Sequence, residues 1–302
     1  MKVLVLGGGD SPEHDVSVRS AKAVADAART AGFDVEEYDP ANGVELLNTV
    51  AKDTIVLPIL HGVNGEDGVI QKELEQYELP FLGSDSRSSL NCFDKWKTRQ
   101  AFEQANIQMA KAVVVTNESY KKHPLAKSPH VLKIINGGSS IGTLIVRDPT
   151  KVAAEHVGDI FKMQNRAVLE ELIVGQEITV SILDSEALPV IEIVPPANGE
   201  FDYDNKYNGA TQEIVPSKNV SADSQRKAQE IAKKAHLVMK CRHLSRTDIM
   251  INAKGELFAL EINTMPGMTD QSLFPKAAKV AGMDMPELIT KFVEMVKRDY
   301  KL

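Results

Sequence analysis

Apolar positions in this chain come in short runs separated by stretches with helical periodicity. Residues 2–6 form the first run, which ends in three glycines, Gly7-Gly8-Gly9. Val18, Ala21, Ala25 and Ala28 then recur at helical spacing. Residues 33–38 and 54–60 read as further strands. Strands alternating with helices predict a parallel, α/β first domain ending near residues 83–85. Beyond it, a Lys- and Gln-rich helix covers about residues 95–105, and residues 112–116, 130–134 and 142–146 are strand-like. A helix follows at 151–164, then strand-like runs at 168–174, 179–183 and 188–194. The polar stretch 195–217 has too few apolar positions to be core. Residues 221–239 predict a long helix with Ser221 or Asp223 near its N-cap, and residues 285–301 predict a closing helix.

Between those two helices, residues 246–263 read as two short strands joined by a tight turn. Asp248 opens the first strand, and Glu261 and Asn263, two apart, share one face of the second. Pairing Asn252 with Leu257 makes residues 253–256 the loop and sets Asp248 opposite Glu261. Three oxygen donors then lie on one side, with Ile249, Ile251, Leu260 and Ile262 on the other. Such a face suits a hard cation such as Mg2+. An ordinary half-buried hairpin has the same alternation.

Composition narrows the classes. The 302 residues suffice for two or three domains, and 43% hydrophobic with 25% charged residues is ordinary for a soluble globular protein. A formal charge of −7 argues against a general nucleic-acid binder. No apolar run approaches the roughly 18 residues a membrane span needs, and residues 3–6 are too few for a signal-peptide core. Two cysteines far apart, Cys92 and Cys241, fit a cytosolic protein with reduced thiols, and His243 beside Cys241 reads as structural.

Several local motifs could carry chemistry. Gly7-Gly8-Gly9 fails the dinucleotide fingerprint because position 12 is Pro and no Gly follows in the helix. It remains a Gly-rich turn into a helix N-terminus, open to an anion, with Glu13 as a dipole partner or cap. His61-Gly-Val-Asn-Gly-Glu66-Asp67-Gly68 follows a buried strand, where α/β sheets bind ligands; a capped turn would look the same. Gly137-Gly-Ser139-Ser140-Ile-Gly142 is similar to a phosphate-covering loop, though not a Walker A motif. Lys133 just before it and Lys95 are candidate phosphate cations. Leu169-Glu170-Glu171-Leu172-Ile173 followed by Glu177 could hold an adenosine, or be a strand and turn with surface acids. No G-x-S-x-G elbow occurs, so the chemistry rests on positioning and electrostatics around a metal and phosphates.

Taken in order, these motifs closely resemble the bacterial D-alanine–D-alanine ligases of the ATP-grasp superfamily. The likeness runs through Gly8-Gly9-Asp10-Ser11-Pro-Glu13-His14-Asp-Val-Ser17, the His61 motif, Asp94-Lys95, Gly138-Ser139-Ser140-Ile-Gly142 and Glu170-Glu171 to Glu177. It continues through Asp202-Tyr203-Asp-Asn-Lys206-Tyr207, Arg246-Thr-Asp248, Glu261-Ile-Asn263 and Pro266-Gly267 to Ser272-Leu273. The resemblance implies an α/β protein, α+β in its C-terminal parts: an ATP-grasp fold preceded by a parallel-sheet N-terminal domain. It implies domains at 1–85, 86–169 and 170–302, with a lid loop at about 196–217.

The implied activity is ATP-dependent ligation of two D-alanines through a D-alanyl phosphate, releasing ADP and phosphate, for peptidoglycan precursors. Alternatives are a D-alanine–D-lactate or D-alanine–D-serine ligase, or a non-catalytic ATP-binding protein. By resemblance, Lys95, Lys133, Ser140 and Lys206 meet nucleotide phosphates. Glu170, Glu171, Leu172 and Ile173 hold adenine, and Glu177 takes the ribose. Asp248, Glu261 and Asn263 bind two Mg2+ or Mn2+ ions. Glu13, Ser139 and Tyr207 form a hydrogen-bonded set, and Tyr207 favours D-alanine as second substrate. Arg246 and the Gly267 N–H stabilise the oxyanion, and His61, Ser272 and Leu273 surround the amino acids. A cytoplasmic homodimer that binds neither membrane nor nucleic acid is implied. Three departures stand out: Ile134 for the family's Pro, Gly137 for a common acid, and Arg99 for a second Lys.

Overall fold

The structure, a computed structural model, describes residues 1–138, 141–196 and 211–302. Ser139, Ser140, Lys206 and Tyr207, and most of the 196–217 loop, lie outside the described residues.

The first sheet is parallel: β1 (Lys2–Leu6), β2 (Asp34–Tyr38) and β3 (Ile55–Pro58) in the order β2-β1-β3. The crossover from β1 to β2 runs through α1 (His14–Thr30), as parallel pairing requires. Its buried face is Val16, Ala21, Val24, Ala25 and Ala28, and the small alanines let the helix lie close to the sheet. Val18, expected on that face, is 43% exposed, because Val16 takes the inward position two residues earlier. The helices α2 (Val69–Gln76) and α3 (Ser86–Phe93) follow, with Asp85 capping α3 through the Ser88 N–H. Next, α4 (Lys95–Gln104) is capped by Asp94, which accepts from the Trp96 and Lys97 N–H groups.

An antiparallel sheet comes next, in the order β4-β7-β5-β6: β4 (Ala112–Val115), β5 (His130–Ile134), β6 (Thr143–Val146) and β7 (Ala167–Glu171). Helices α5 (Asn117–Lys122) and α6 (Ala154–Met163) accompany it. Strand β7 stops at Glu171, so residues 172–174, expected in the strand, form a short link instead.

The third sheet holds β8 (Gly175–Leu183), β9 (Glu186–Ala187), β10 (Ile191–Val194), β11 (Gln212–Ile214), β12 (Leu244–Asn252) and β13 (Leu257–Asn263). Its order is β11-β10-β8-β12-β13, with β9 paired to β8. Helix α7 (Ala222–Val238), N-capped by Ser221 rather than Asp223, lays Ala228 and Ala232 on Ile178, Val180, Ile249 and Ile251. The helices α8 (Leu273–Val280) and α9 (Met285–Tyr300) return to the beginning of the chain. Leu273, Phe274, Ala277, Leu288, Phe292 and Val296 share one core with Val3, Val5, Ala25 and Leu57.

The β12–β13 hairpin places Asp248 opposite Glu261 as expected, but by a different route. At the turn, Ile251 rather than Asn252 faces Leu257, one residue out of phase. A β-bulge between Asp248 and Ile249 restores the phase, with Leu260 as the extra residue on β13. In consequence Leu260, expected in the core with Ile249 and Ile262, lines a cavity beside Met250 and Glu261.

Candidate active site

Two cavities meet where the three sheets converge. The larger, about 890 Å³, is lined by Glu13 from the start of α1, His61 and Glu66 from the loop after β3, Arg246 from β12, and Glu261 and Asn263 from β13. Gly267, Ser272 and Leu273 complete it from the approach to α8. The smaller, about 500 Å³, is lined by Lys133, Glu170, Glu171, Leu172, Ile173, Glu177 and Asp248. Lys95, Gly138 and Glu261 line both, so these residues form the common wall.

The loop after β3 is held by its own polar groups. The Ser11 hydroxyl donates to the His61 carbonyl at 2.7 Å, and His61 Nε2 lies 3.2 Å from Ser20 Oγ. Burial drives the His61 pKa down to about 4, helped by nearby Arg246 and opposed by a backbone hydrogen bond at Met265. His61 is therefore neutral at physiological pH. The Gly62 N–H donates to Glu66 Oε2 at 2.7 Å. Gly62 has φ +75°, and a Cβ there would meet Glu13 Oε2 at 2.6 Å, so both the backbone and the space demand glycine.

Glu13 was expected as a dipole partner or cap. It makes no side-chain capping bond to α1 and is buried, facing the cavity near Gly62 and Gly138. The anion site expected at the glycine turn is also taken internally. The Gly8 N–H donates to Ser17 Oγ and the Gly9 N–H to Asp39 Oδ1 at 2.8 Å, so the protein supplies its own carboxylate.

Glu66 belongs to the His61 motif, but its spacing alone gave it no role. Burial first, then repulsion from Glu13, raises its pKa to about 8, against the pull of the Gly62 N–H and Arg246. Glu66 thus lies between a second carboxyl group, Glu13, and the Arg246 guanidinium, feeling the charge of each. Burial alone would weaken the charge on Arg246, but Asp248, Glu261 and Glu66 outweigh it and raise its pKa. Arg246 grips Asp248 with two bonds, Nε to Oδ1 at 2.9 Å and Nη2 to Oδ2 at 2.8 Å, and Thr179 donates to Oδ1 at 2.6 Å.

On the other side, Lys95 Nζ lies 3.7 Å from Glu261 and donates to the Gly137 carbonyl. Lys133 Nζ is 2.7 Å from Glu170 Oε1, and Arg99 Nη2 is 3.8 Å from Glu170 Oε2. The Glu170 side chain is therefore a counter-ion for Lys133. The Glu171 and Leu172 amides donate to the Lys111 and Pro129 carbonyls, and Leu172, Ile173 and Val174 line the smaller cavity. The departures at 134 and 137 fit each other. A Cβ at Gly137 would lie 2.5 Å from Ile134 Cδ1, and one at Gly142 (φ +71°) 2.8 Å from the same atom.

Of the donors expected for a metal, Glu261 is in the common wall, Asp248 lines the smaller cavity and Asn263 the larger. Asp248 and Glu261 are register partners, and Asn263 follows two residues on, where its Oδ1 accepts the Met265 N–H at 2.8 Å. Two carboxylates and an amide are hard oxygen donors of the kind Mg2+ selects. Arg246 on Asp248 and Lys95 near Glu261 supply the countercharge, so a metal would share these carboxylates with two cations.

A family model described as "D-ala D-ala ligase C-terminus" matches residues 100–294. A D-alanine–D-alanine ligase from Sinorhizobium medicae is 36% identical over 97% of this chain and 96% of its own length. The chain belongs to the D-alanine–D-alanine ligase family. Among solved structures, the family's Bacillus anthracis member superimposes with TM-score 0.86 at 29% identity, covering 100% of this chain and 99% of that one. Its ATP complex gives TM-score 0.84 with the same identity and coverage. The VanG D-Ala:D-Ser ligase of Enterococcus faecalis gives 0.83 at 26% identity, covering 98% of this chain and 99% of that one. The ATP-grasp architecture of this family, with its parallel N-terminal sheet, is thus the fold of this chain.

Proposed function

We propose that the chain joins two D-alanines into D-alanyl-D-alanine at the expense of ATP, releasing ADP and phosphate, for cell-wall precursor synthesis. The observation that carries this reading is the pair of cavities with a common cationic and acidic wall at Lys95, Gly138 and Glu261. A nucleotide in the smaller cavity points its γ-phosphate at that wall, and amino acids in the larger one reach it from the other side.

A carboxylate is a poor acyl donor, so the first D-alanine carboxylate attacks the γ-phosphorus to give an acyl phosphate and ADP. Lys95 and Lys133 spread the charge of the transferring group, with Lys133 held straight by Glu170. Magnesium bound by Asp248, Glu261 and Asn263 would neutralise phosphate charge when present. The amine of the second D-alanine then attacks the acyl carbon, and phosphate leaves. The Arg246 guanidinium and the Gly267 N–H stabilise the tetrahedral oxyanion. Glu13 draws the first ammonium group, neutral His61 packs beside it, and Ser272 with the Leu273 N–H takes the second carboxylate at the start of α8. Leu172, Ile173 and the carboxylates of Glu171 and Glu177 make up the adenosine side. Ser139, Ser140, Lys206 and Tyr207 complete this reading from the loops over the site. The three-domain division at 85 and 169, a homodimeric assembly and a cytoplasmic location belong to the same proposal. No helix among the described residues is long and apolar enough to cross a membrane.

The deciding assay measures ADP and phosphate release with D-alanine and Mg2+, followed by mass analysis of the product. D-Alanyl-D-alanine is the expected product. Failure of D-alanine to stimulate ATP hydrolysis would sink the proposal. Dominance of D-alanyl-D-serine with mixed acceptors would move the chain toward the VanG-like activity.

A further inference from the structure

Cys92 lies in the last turn of α3 and Cys241 just before β12, 149 residues later, yet their sulfurs are 3.7 Å apart and both cysteines are free of disulfides. The proposed ligation uses neither of them. Cys92 is buried against Phe102, Ala259 and Ile262, and also forms part of the wall of the larger cavity. Cys241 is half-buried, the more exposed of the two. Each thiol stands close in sequence to a charged side chain of the site: Lys95 follows Cys92 by three residues and Arg246 follows Cys241 by five.

We propose that Cys92 and Cys241 are an oxidisable thiol pair, a modification site for small disulfides, whose closure pulls Lys95 and Arg246 out of alignment. The exchange balances. The Cys241 thiolate attacks one sulfur of a small disulfide, whose S–S bond breaks to release one thiolate and leave a mixed disulfide. Cys92 then gives up its proton and attacks the Cys241 sulfur, expelling the second small thiolate, which takes up a proton. Two protein S–H bonds are lost, one S–S bond forms, and the small disulfide is reduced to two thiols. The order follows from the surroundings. The hydrogen bond with Cys241 and then burial push the Cys92 thiol well above its usual pKa, so the more open Cys241 is the thiol that attacks first.

A disulfide spans about 2.05 Å, so the two sulfurs must close by roughly 1.6 Å. Side-chain rotation absorbs part of that. The remainder falls on the end of α3 and the start of β12, and a misplacement of order 1 Å in a catalytic constellation costs up to about 100-fold in rate.

The test treats the full chain with oxidised glutathione and maps its peptides without reduction. Expected are a Cys92–Cys241 cross-linked peptide and loss of two titratable thiols. D-alanine-dependent ATP turnover should fall at least about tenfold and recover with dithiothreitol. Cys241→Ser should keep its basal turnover and resist the oxidant. The cross-link is independent of the proposed ligase activity, whereas the turnover readout rests on it. A parent protein without D-alanine-dependent turnover would therefore indict that activity and not the pair. Two thiols that remain titratable, or a lasting glutathione adduct on Cys241 alone, would overturn the pair. A cross-linked chain with unchanged turnover would overturn the misalignment.

Discussion

Replacing Glu66 with Gln should make the protein more stable at alkaline pH and flatten its response to pH. Glu66 is buried beside Glu13, and its pKa is raised from 4.5 to about 8 by burial and then by that neighbour. A carboxyl whose pKa is higher folded than unfolded binds its proton more tightly in the folded state. Its stabilising contribution is complete below about pH 4.5 and is lost as pH rises to about 8. That interval, at about 1.4 kcal/mol per pH unit, corresponds to about 5 kcal/mol as an upper bound. Glu66 opens on a cavity of about 890 Å³, where water can enter. Half-ionisation of the folded group at pH 8 lowers the bound to about 4 kcal/mol, and screening by that water lowers the expected gain further, to about 2–4 kcal/mol. The glutamine oxygen still accepts the Gly62 N–H, so little else changes. Urea unfolding of both proteins at pH 5, 6.5 and 8 measures the difference. Variant minus parent should grow with pH, with a local slope no steeper than about 1.4 kcal/mol per unit. Parallel curves at all three values, or a Glu66 carboxyl titrating near its ordinary value by carbon NMR, would refute the reasoning.

Other expectations rest on single contacts. Glu261→Gln should cut turnover at least 100-fold with its circular dichroism unchanged, about the loss of one transition-state electrostatic group; near-normal activity would remove Glu261 from the proposed metal-binding set. Arg99→Met releases Glu170 from one of its two cations and should raise the KM for ATP about threefold to tenfold, with the KM for D-alanine unmoved and Arg99→Lys largely restoring it. Gly137→Ala should destabilise by about 1–3 kcal/mol through overlap with Ile134, and Ile134→Ala in the same chain should recover most of it; thermal unfolding of the four proteins in the cycle gives the coupling. Phe292→Ala should cost about 3–5 kcal/mol, because Phe292 is fully buried against Phe274 in the core shared by both ends of the chain.

Much of the fold was legible because most strands and helices carry their own period. The alternation in β12 and β13 announced a hairpin, and Ser221 announced the start of α7. What escaped depended on partners distant in sequence. Nothing local in Phe258-Ala-Leu260 marks a bulge; it appears only when β12, already paired with β8, sets the register. The glycine turn reads as an open anion site until Asp39, 30 residues away, fills it. The Cys92–Cys241 contact spans 149 residues and has no sequence signature. Glu66 sat inside a recognised motif, and its role became visible only when burial placed it beside Glu13. Lys95, Lys133, Asp248 and Glu261 were separate candidates in the sequence, joined into a set only by the resemblance to the ligase family; in the structure they line two adjoining cavities.

The core that joins α8 and α9 to the first sheet also bears on how the protein is made. Val3, Val5 and Leu57 are translated early, but their cover includes Phe274, Phe292 and Val296, which leave the ribosome more than 200 residues later. During synthesis that core has α1 but lacks α8 and α9, so part of its apolar surface stays open to chaperones or to misassembly. The larger cavity matures on the same schedule, since Glu13 and His61 wait for Gly267 and Ser272. A nascent chain therefore lacks the complete larger cavity until α8 and α9 dock, and slowing translation there should lengthen the aggregation-prone interval without altering the folded protein.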